Sequence, residues 1–304
     1  MNRARRHALT WLARGLTAAG GWPLAINAAQ AAPAAVTPIK VVASFTILAD
    51  MVREIGAEAV QVSALVGPNG NAHAFEPRPI DLKTVAGADL LVLNGLHFDA
   101  WIDRLVKASG YRGRQVVATD GIEPRRVGLS IDPHAWHDLR HAQRYMSNLG
   151  AALAQVRPAQ AAEIRRRAAD YAGRIEALDR EIRAQVQAIP PARRRVMSTH
   201  DAFGYLGAAY GIEFLAPQGW NADSEPSAAQ VAGLIRQIRQ QKVAAVFIEN
   251  ISQPRLMQRI AAEGGVKIGG TLYSDALSPP GSEADTFLKL IRHNASTLLA
   301  GMRG

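Results

Sequence analysis

The sequence predicts an α/β protein made of two parallel-sheet lobes joined by one long interlobe helix. Three observations lead there. Short apolar runs alternate with helical stretches from Ile39 to Ala118, an unbroken helical stripe occupies residues 158–189, and the alternation resumes after Pro191. Strands interleaved with helices of this length form parallel βαβ units. At 304 residues the chain is long enough for two medium lobes, and its 48% apolar content excludes a disordered chain.

Each element has its own signal. Lys40–Phe45 is a short apolar strand followed by a helix over Leu48–Ile55, and Val60–Leu65 is a second strand closed by the breaker Gly67-Pro68-Asn69-Gly70. A helix around Ile80–Ala86 leads into the apolar strand Asp89–Asn94. Trp101–Ser109 is helical, and Gln115–Ala118 is a fourth strand. After Pro191, Arg194–Ser198, Phe214-Leu215, Val243–Ile248 and Val266–Leu272 read as strands. Helices near 203–210, 227–240, 254–262 and 283–301 separate or follow them.

Between these halves the rhythm breaks. Ile164, Ala168, Tyr171, Ile175, Leu178, Ile182, Val186 and Ile189 recur every three or four residues, the stripe of a helix with one buried face. At the standard rise this stretch is about 45 Å long. Pro158 suits its first turn and Pro190-Pro191 stops it. A helix of this length exceeds a usual βα connection, so it is expected to tie an N-terminal lobe (38–157) to a C-terminal lobe (190–304).

Residues 1–31 differ from the rest. Arg3, Arg5, Arg6 and Arg14 occur without any acid, an interrupted apolar stretch runs from Ala8 to Ile26, and Ala29-Gln30-Ala31 supplies a small-x-small cleavage site. This is the build of a secretory signal peptide. Arg5-Arg6 also permits the twin-arginine route, but a lone arginine pair is a weak signal and ordinary secretion is the expectation. Removing these residues lowers the net charge from +9 to +5, since four arginines leave with no acid. The remaining basic residues lie along helices without interleaved aromatics, which excludes a nucleic-acid-binding face. With no cysteine, stability rests on core and metal instead of disulfides, and no lipidated cysteine is expected. The mature protein is therefore expected in the periplasm, neither anchored to nor inserted in the membrane.

Four residues stand out chemically: His73, His134, His200 and Asp275, spaced roughly 60 to 75 residues apart. His200 and Asp275 sit directly beyond predicted strand ends. His73 follows the second strand through its Pro/Gly loop, and His134 follows the Ile131-Asp132-Pro133 turn. Ligands of open parallel sheets bind beyond the carboxyl ends of strands, so two residues from each lobe can meet in the cleft. A single mid-chain histidine is more often a buried hydrogen-bonding residue than a ligand; it is the joint placement that argues for a site. Three imidazoles and a carboxylate suit a tetrahedral divalent metal, zinc first. Such imidazoles need a partner for the outer ring nitrogen, and Glu76, Asp132, Asp201 and Glu249 are the candidates. Asp201 and Asp132 could instead cap helices, and Glu76 could form a surface or interlobe ion pair. His97 follows a strand and could line the cleft. His137 and His141, four apart, read as a solvated helix face rather than a metal pair, and His293 reads as surface.

The local strings carry a resemblance. His73-Ala-Phe-Glu76-Pro77, Asp132-Pro133-His134-Ala-Trp136, Ser198-Thr199-His200-Asp201-Ala-Phe203-Gly204-Tyr205 and Tyr273-Ser274-Asp275 resemble the four metal-ligand segments of the zinc/manganese-binding solute-binding proteins of ABC importers. The likeness runs from about Ile39 to Met302. It implies two α/β lobes bridged by a rigid helix, with His73, His134, His200 and Asp275 as the metal ligands. Members resembling manganese carriers tend to have glutamate at the third position, so His200 points to Zn2+ as the transported substrate, and a Mn2+ or Fe2+ carrier is the alternative. One departure is plain: residues 111–131 lack the histidine-rich loop of many zinc members. Loading then falls to a metallochaperone or occurs directly. The resemblance further implies a non-enzymatic carrier that delivers metal to a membrane permease, expected as a monomer. The competing class, a zinc hydrolase, would need an open coordination position and a nearby base, and the sequence has no His-Glu-x-x-His motif. A strut helix predicts that metal orders loops 67–77 and 218–223 while the lobes shift little.

Overall fold

Ile39–Phe45 (β1) buries Val41, Val42, Ala43 and Phe45 in succession, the continuous apolar pattern of a strand covered on both faces. The structure is a computed structural model that describes residues 37–219 and 226–304. The signal-peptide expectation and residues 220–223 of the second loop lie outside the described residues. β1 pairs in parallel with Val60–Val66 (β2) on one side and Leu90–Leu93 (β3) on the other, and Arg114–Val117 (β4) extends the sheet beyond β3. The order is β2-β1-β3-β4. Between the strands come Thr46–Gly56 (α1), Pro79–Ala86 (α2) and Trp101–Ser109 (α3). Gly110, left-handed at φ 69°, ends α3 as a C-terminal glycine should.

Beyond β4 the chain departs from simple alternation. A two-residue hairpin, Arg126–Val127 (β5) with Ser130–Ile131 (β6), leads through the 3₁₀ turn Ala135–His137 into Leu139–Val156 (α4). Asp138 caps α4 by accepting from the Arg140 backbone N–H. The long helix is Ala161–Gln187 (α5), about 40 Å at the standard rise. Pro158 opens a separate 3₁₀ turn, Pro158–Gln160, instead of the helix itself. Every residue of the sequence stripe from Ile164 to Val186 is buried. What the periodicity did not foresee is the extent of α4 and its packing along α5. Where Gly150 faces Ala168, an added Cβ would stand 2.9 Å from the Ala168 Cβ, so a side chain there would force the helices apart.

The second sheet is also parallel, ordered β10-β9-β7-β8: Arg195–Met197 (β7), Glu213–Leu215 (β8), Val246–Glu249 (β9) and Ile268–Leu272 (β10). Gly204–Tyr210 (α6), Ala228–Gln241 (α7), Arg255–Gly264 (α8) and Phe287–Arg303 (α9) complete it. Ser227 and Gln230 form a reciprocal capping box at the start of α7. α5 packs on α1 from the first half and on α6 and α9 from the second. One apolar core runs through both halves, from Val41 and Leu91 to Leu272 and Phe287, while a smaller cluster around Met197, Ile235 and Met257 lies under α7 and α8.

Candidate metal centre

Three of the four segments follow the carboxyl end of a parallel strand, and the fourth follows the antiparallel β5–β6 hairpin. His73 lies in the loop after β2. There the Asn71 side chain accepts from its backbone N–H at 2.9 Å, and Trp101 of α3 donates to the Ala72 carbonyl at 2.9 Å. The edge of its ring meets Phe98, centroids 4.8 Å apart. His134 begins the 3₁₀ turn behind the β5–β6 hairpin, His200 follows β7, and Asp275 follows β10. His134, His200 and Asp275 are fully buried, and the His73 side chain is 6% exposed, so the cluster is reached from the His73 side.

The four side chains converge on one point. His73 Nε2 lies 3.2 Å from His134 Nε2 and 3.1 Å from Asp275 Oδ2. His134 Nε2 is 3.5 Å from Asp275 Oδ1, and His200 Nε2 is 3.4 Å from Asp275 Oδ2. One ligand atom from each of the four can be chosen so that all lie within 4.8 Å of one another. Donors held about 2.0–2.1 Å from a tetrahedral zinc stand roughly 3.3 Å apart, and the four contacts of 3.1–3.5 Å lie close to that spacing, within a set that spreads to 4.8 Å. His200 Nε2 and both Asp275 oxygens are buried and have no hydrogen bond of acceptable geometry among the described residues. Buried polar atoms left without partners are costly, and a cation at their common focus removes that cost. The donor set therefore fits a divalent metal.

Carboxylates behind two imidazoles set which nitrogen faces inward. Asp132 Oδ1 accepts from His134 Nδ1 at 2.9 Å and from the His134 backbone N–H at 3.0 Å. Glu249, the last residue of β9, accepts from His200 Nδ1 at 2.5 Å and, through its other oxygen, from the backbone N–H groups of Thr199 and His200. With a proton on Nδ1, each ring turns its Nε2 to the centre, where the lone pair serves a metal once no proton occupies it. Arg125 holds the far oxygen of Asp132 at 3.0 Å.

Burial opposes charge throughout, yet the carboxylates and imidazoles offset it. Burial pushes His73 below the ordinary imidazole range, and Asp275 only partly offsets that. Burial acts the same way on His200, but Glu249 and then Asp275 outweigh it and hold His200 well above that range. The Asp275 carboxyl, despite burial, is held well below the usual carboxylate range by His200 and His134.

Not every expected residue arrives. Asp132 and Glu249 stand behind site imidazoles; Glu76 is exposed and Asp201 partly buried, and neither hydrogen-bonds a site histidine. The residues Glu76 and Asp201 share strings with the histidines, but the loop and bend turn their side chains elsewhere. His97 is exposed in a left-handed turn at φ 64°. His137 corrects the solvated-face reading: it belongs to the 3₁₀ turn, is fully buried, and its Nε2 meets the Ser274 carbonyl at 3.1 Å. Burial pushes its pKa down to about 3. His141 lies on α4, partly buried against Tyr205. His293 meets the Thr271 carbonyl at 2.9 Å and keeps 20% of its side chain exposed. Trp136 and Asn250 are the contributors that sequence reasoning missed. Trp136 lay within a quoted string, but nothing marked its indole N–H as a donor to Ser274.

Comparison with known proteins gives a consistent picture. The family model described as ZnuA, zinc-uptake complex component A, periplasmic, matches residues 41–301. The zinc-binding protein TroA of Treponema pallidum is 32% identical, with 86% of this chain and 88% of that protein covered. The iron-binding protein YfeA of Yersinia pestis is 31% identical over 86% of each chain. The manganese-binding lipoprotein MntA of Halalkalibacterium halodurans is 29% identical over 87% of this chain and 88% of its own. The solved structure of the Treponema pallidum periplasmic zinc-binding protein TroA superimposes with a TM-score of 0.84 at 28% identity, covering 88% of this chain and 99% of that one.

Proposed function

The chain belongs to the periplasmic zinc-uptake component A family, whose members are metal-binding substrate-binding proteins of ABC importers and not enzymes, and from that premise we propose that its substrate is Zn2+, held by His73, His134, His200 and Asp275 and passed to a membrane permease. The observation that carries this reading is the convergence of three imidazole nitrogens and one carboxylate within 4.8 Å of one another. Relatives named for zinc, iron and manganese are about equally similar, so overall likeness does not select the ion. The donor set supports zinc: three nitrogens and one carboxylate form a softer site than an oxygen-rich one, and this favours zinc over manganese. Direct loading or a metallochaperone, export by residues 1–31, and the division into lobes 38–157 and 190–304 about the 158–189 link belong to the same proposal.

Elemental analysis of the purified mature protein, with Zn2+ and Mn2+ in competition, tests it. One zinc per chain that manganese fails to displace is expected. Two or more tight zinc ions, or preferential retention of manganese, would overturn the assignment. Replacing the third nitrogen, His200→Glu, is expected to shift preference toward manganese.

A further inference from the structure

The short turn that carries His134 also reaches across to the segment carrying Asp275. Trp136 Nε1 donates to the Ser274 carbonyl at 3.1 Å, and His137 Nε2 lies 3.1 Å from the same oxygen. A carbonyl oxygen can only accept, so Nε2 of His137 carries the proton and Nδ1 is left bare; Nδ1 is buried without a partner. Both rings are fully buried and packed among aromatics, His137 against Phe203 at 4.8 Å and Trp136 against Phe98 at 4.9 Å between centroids. Close packing around both rings holds the two donors against the carbonyl.

We infer that Trp136 and His137 are positioning residues: together they clamp the carbonyl that precedes Asp275 and so fix its carboxylate relative to His134. The inference rests on the metal-site reading above and deepens it. One turn thus supplies a metal ligand and sets the place of another that is 141 residues away in sequence. The far side of Asp275 is held separately, since Asn250 donates to the Ala276 carbonyl at 3.1 Å and accepts from the Ser274 backbone N–H at 3.3 Å. The carboxylate is placed from both flanks. Its two oxygens sit 3.1 and 3.5 Å from the nearest nitrogens of His73 and His134, and a slip of a few tenths of an ångström would alter the coordination geometry. His137 therefore has a use that neither a solvated histidine nor a further metal ligand would explain.

The test compares wild type with His137→Phe, which keeps a ring but removes the N–H, and His137→Gln, whose amide nitrogen can donate from a similar reach. Zinc affinity by chelator competition and the visible spectrum of the Co2+-loaded protein are the readouts. His137→Phe is expected to weaken zinc binding about 10- to 100-fold and to change the intensity of the Co2+ bands, as altered outer-partner residues do. His137→Gln is expected to restore both. Wild-type affinity and spectrum in a folded His137→Phe would overturn the clamp, as would equal losses in Phe and Gln, which would point to packing alone. If His137→Phe does not fold, Trp136→Phe removes the second donor from the same carbonyl, and an unchanged Co2+ spectrum there would overturn it equally. A wild-type protein that takes up no zinc or cobalt would instead refute the metal-site reading.

Discussion

At the scale of single residues, the metal-free site is a proton-holding site as well as a metal-binding one. His200, between Glu249 and Asp275, is held well above the ordinary imidazole range, so at neutral pH it carries a proton on the nitrogen a metal needs. Loading must displace that proton, and about one proton per metal is expected to be released at pH 7. Calorimetric titration in two buffers of different protonation enthalpy measures it; release near zero would mean His200 is neutral before loading. His73 is shifted the other way by its burial and stays available as a neutral donor at that pH. Affinity is therefore expected to fall as pH drops from 7.5 to 5, with His200 the first competitor. A flat profile would mean that the imidazoles are not the main donors.

At the scale of elements, the junction of α1 with α9 carries a buried charge. Asp50 on α1 is 5% exposed and accepts from the Phe287 backbone N–H at 2.8 Å, satisfying the first residue of α9. Burial raises its pKa from 3.8 to about 6, against the pull of that N–H. The folded state thus binds the proton more tightly than the unfolded chain, and stability falls as pH rises from about 4 through 6. Above pH 6 the full cost of the buried charge is present, on the order of 2–3 kcal/mol. Asp50→Asn keeps an acceptor for Phe287 and removes the charge. It is expected to be more stable than wild type at pH 8 by roughly 1–3 kcal/mol, with the gain fading toward pH 4. Urea unfolding at both pH values measures this, and a variant less stable at pH 8 would show that the charge is compensated in the fold.

At the scale of the whole molecule, the two sheets are tied together in several ways besides α5. Asn69 N–H donates to the Leu277 carbonyl, Leu277 N–H donates to Thr46 Oγ1, and Tyr205 donates from its hydroxyl to the Asp132 carbonyl while accepting from the Arg125 backbone N–H. With Trp136 and His137 on Ser274, these bonds join the two sheets at several points, and a shared core continues across both. Zinc loading is expected to leave the radius of gyration unchanged in solution scattering, while hydrogen exchange slows in residues 67–77 around His73. A marked contraction on loading would contradict the strut role of α5.

The sequence by itself determined the α/β class, the alternation of strands and helices on either side of residues 118–157, the buried stripe of α5 and the four residues that gather at the site. These are legible because alternation, a three-to-four-residue period and short unusual strings are local signals. The strings brought Asp132 into view and the end of a predicted strand brought Glu249, but neither signal could separate these from Glu76 and Asp201, because which way a carboxylate is turned depends on packing from elsewhere in the chain. Only the tertiary structure decided that α4 lies against α5 at Gly150, and that the long helix starts after Pro158 and not at it. Only it revealed that His137 is buried on the Ser274 carbonyl. Each of these rests on a contact between segments distant in sequence, and periodicity carries no record of which surfaces will meet.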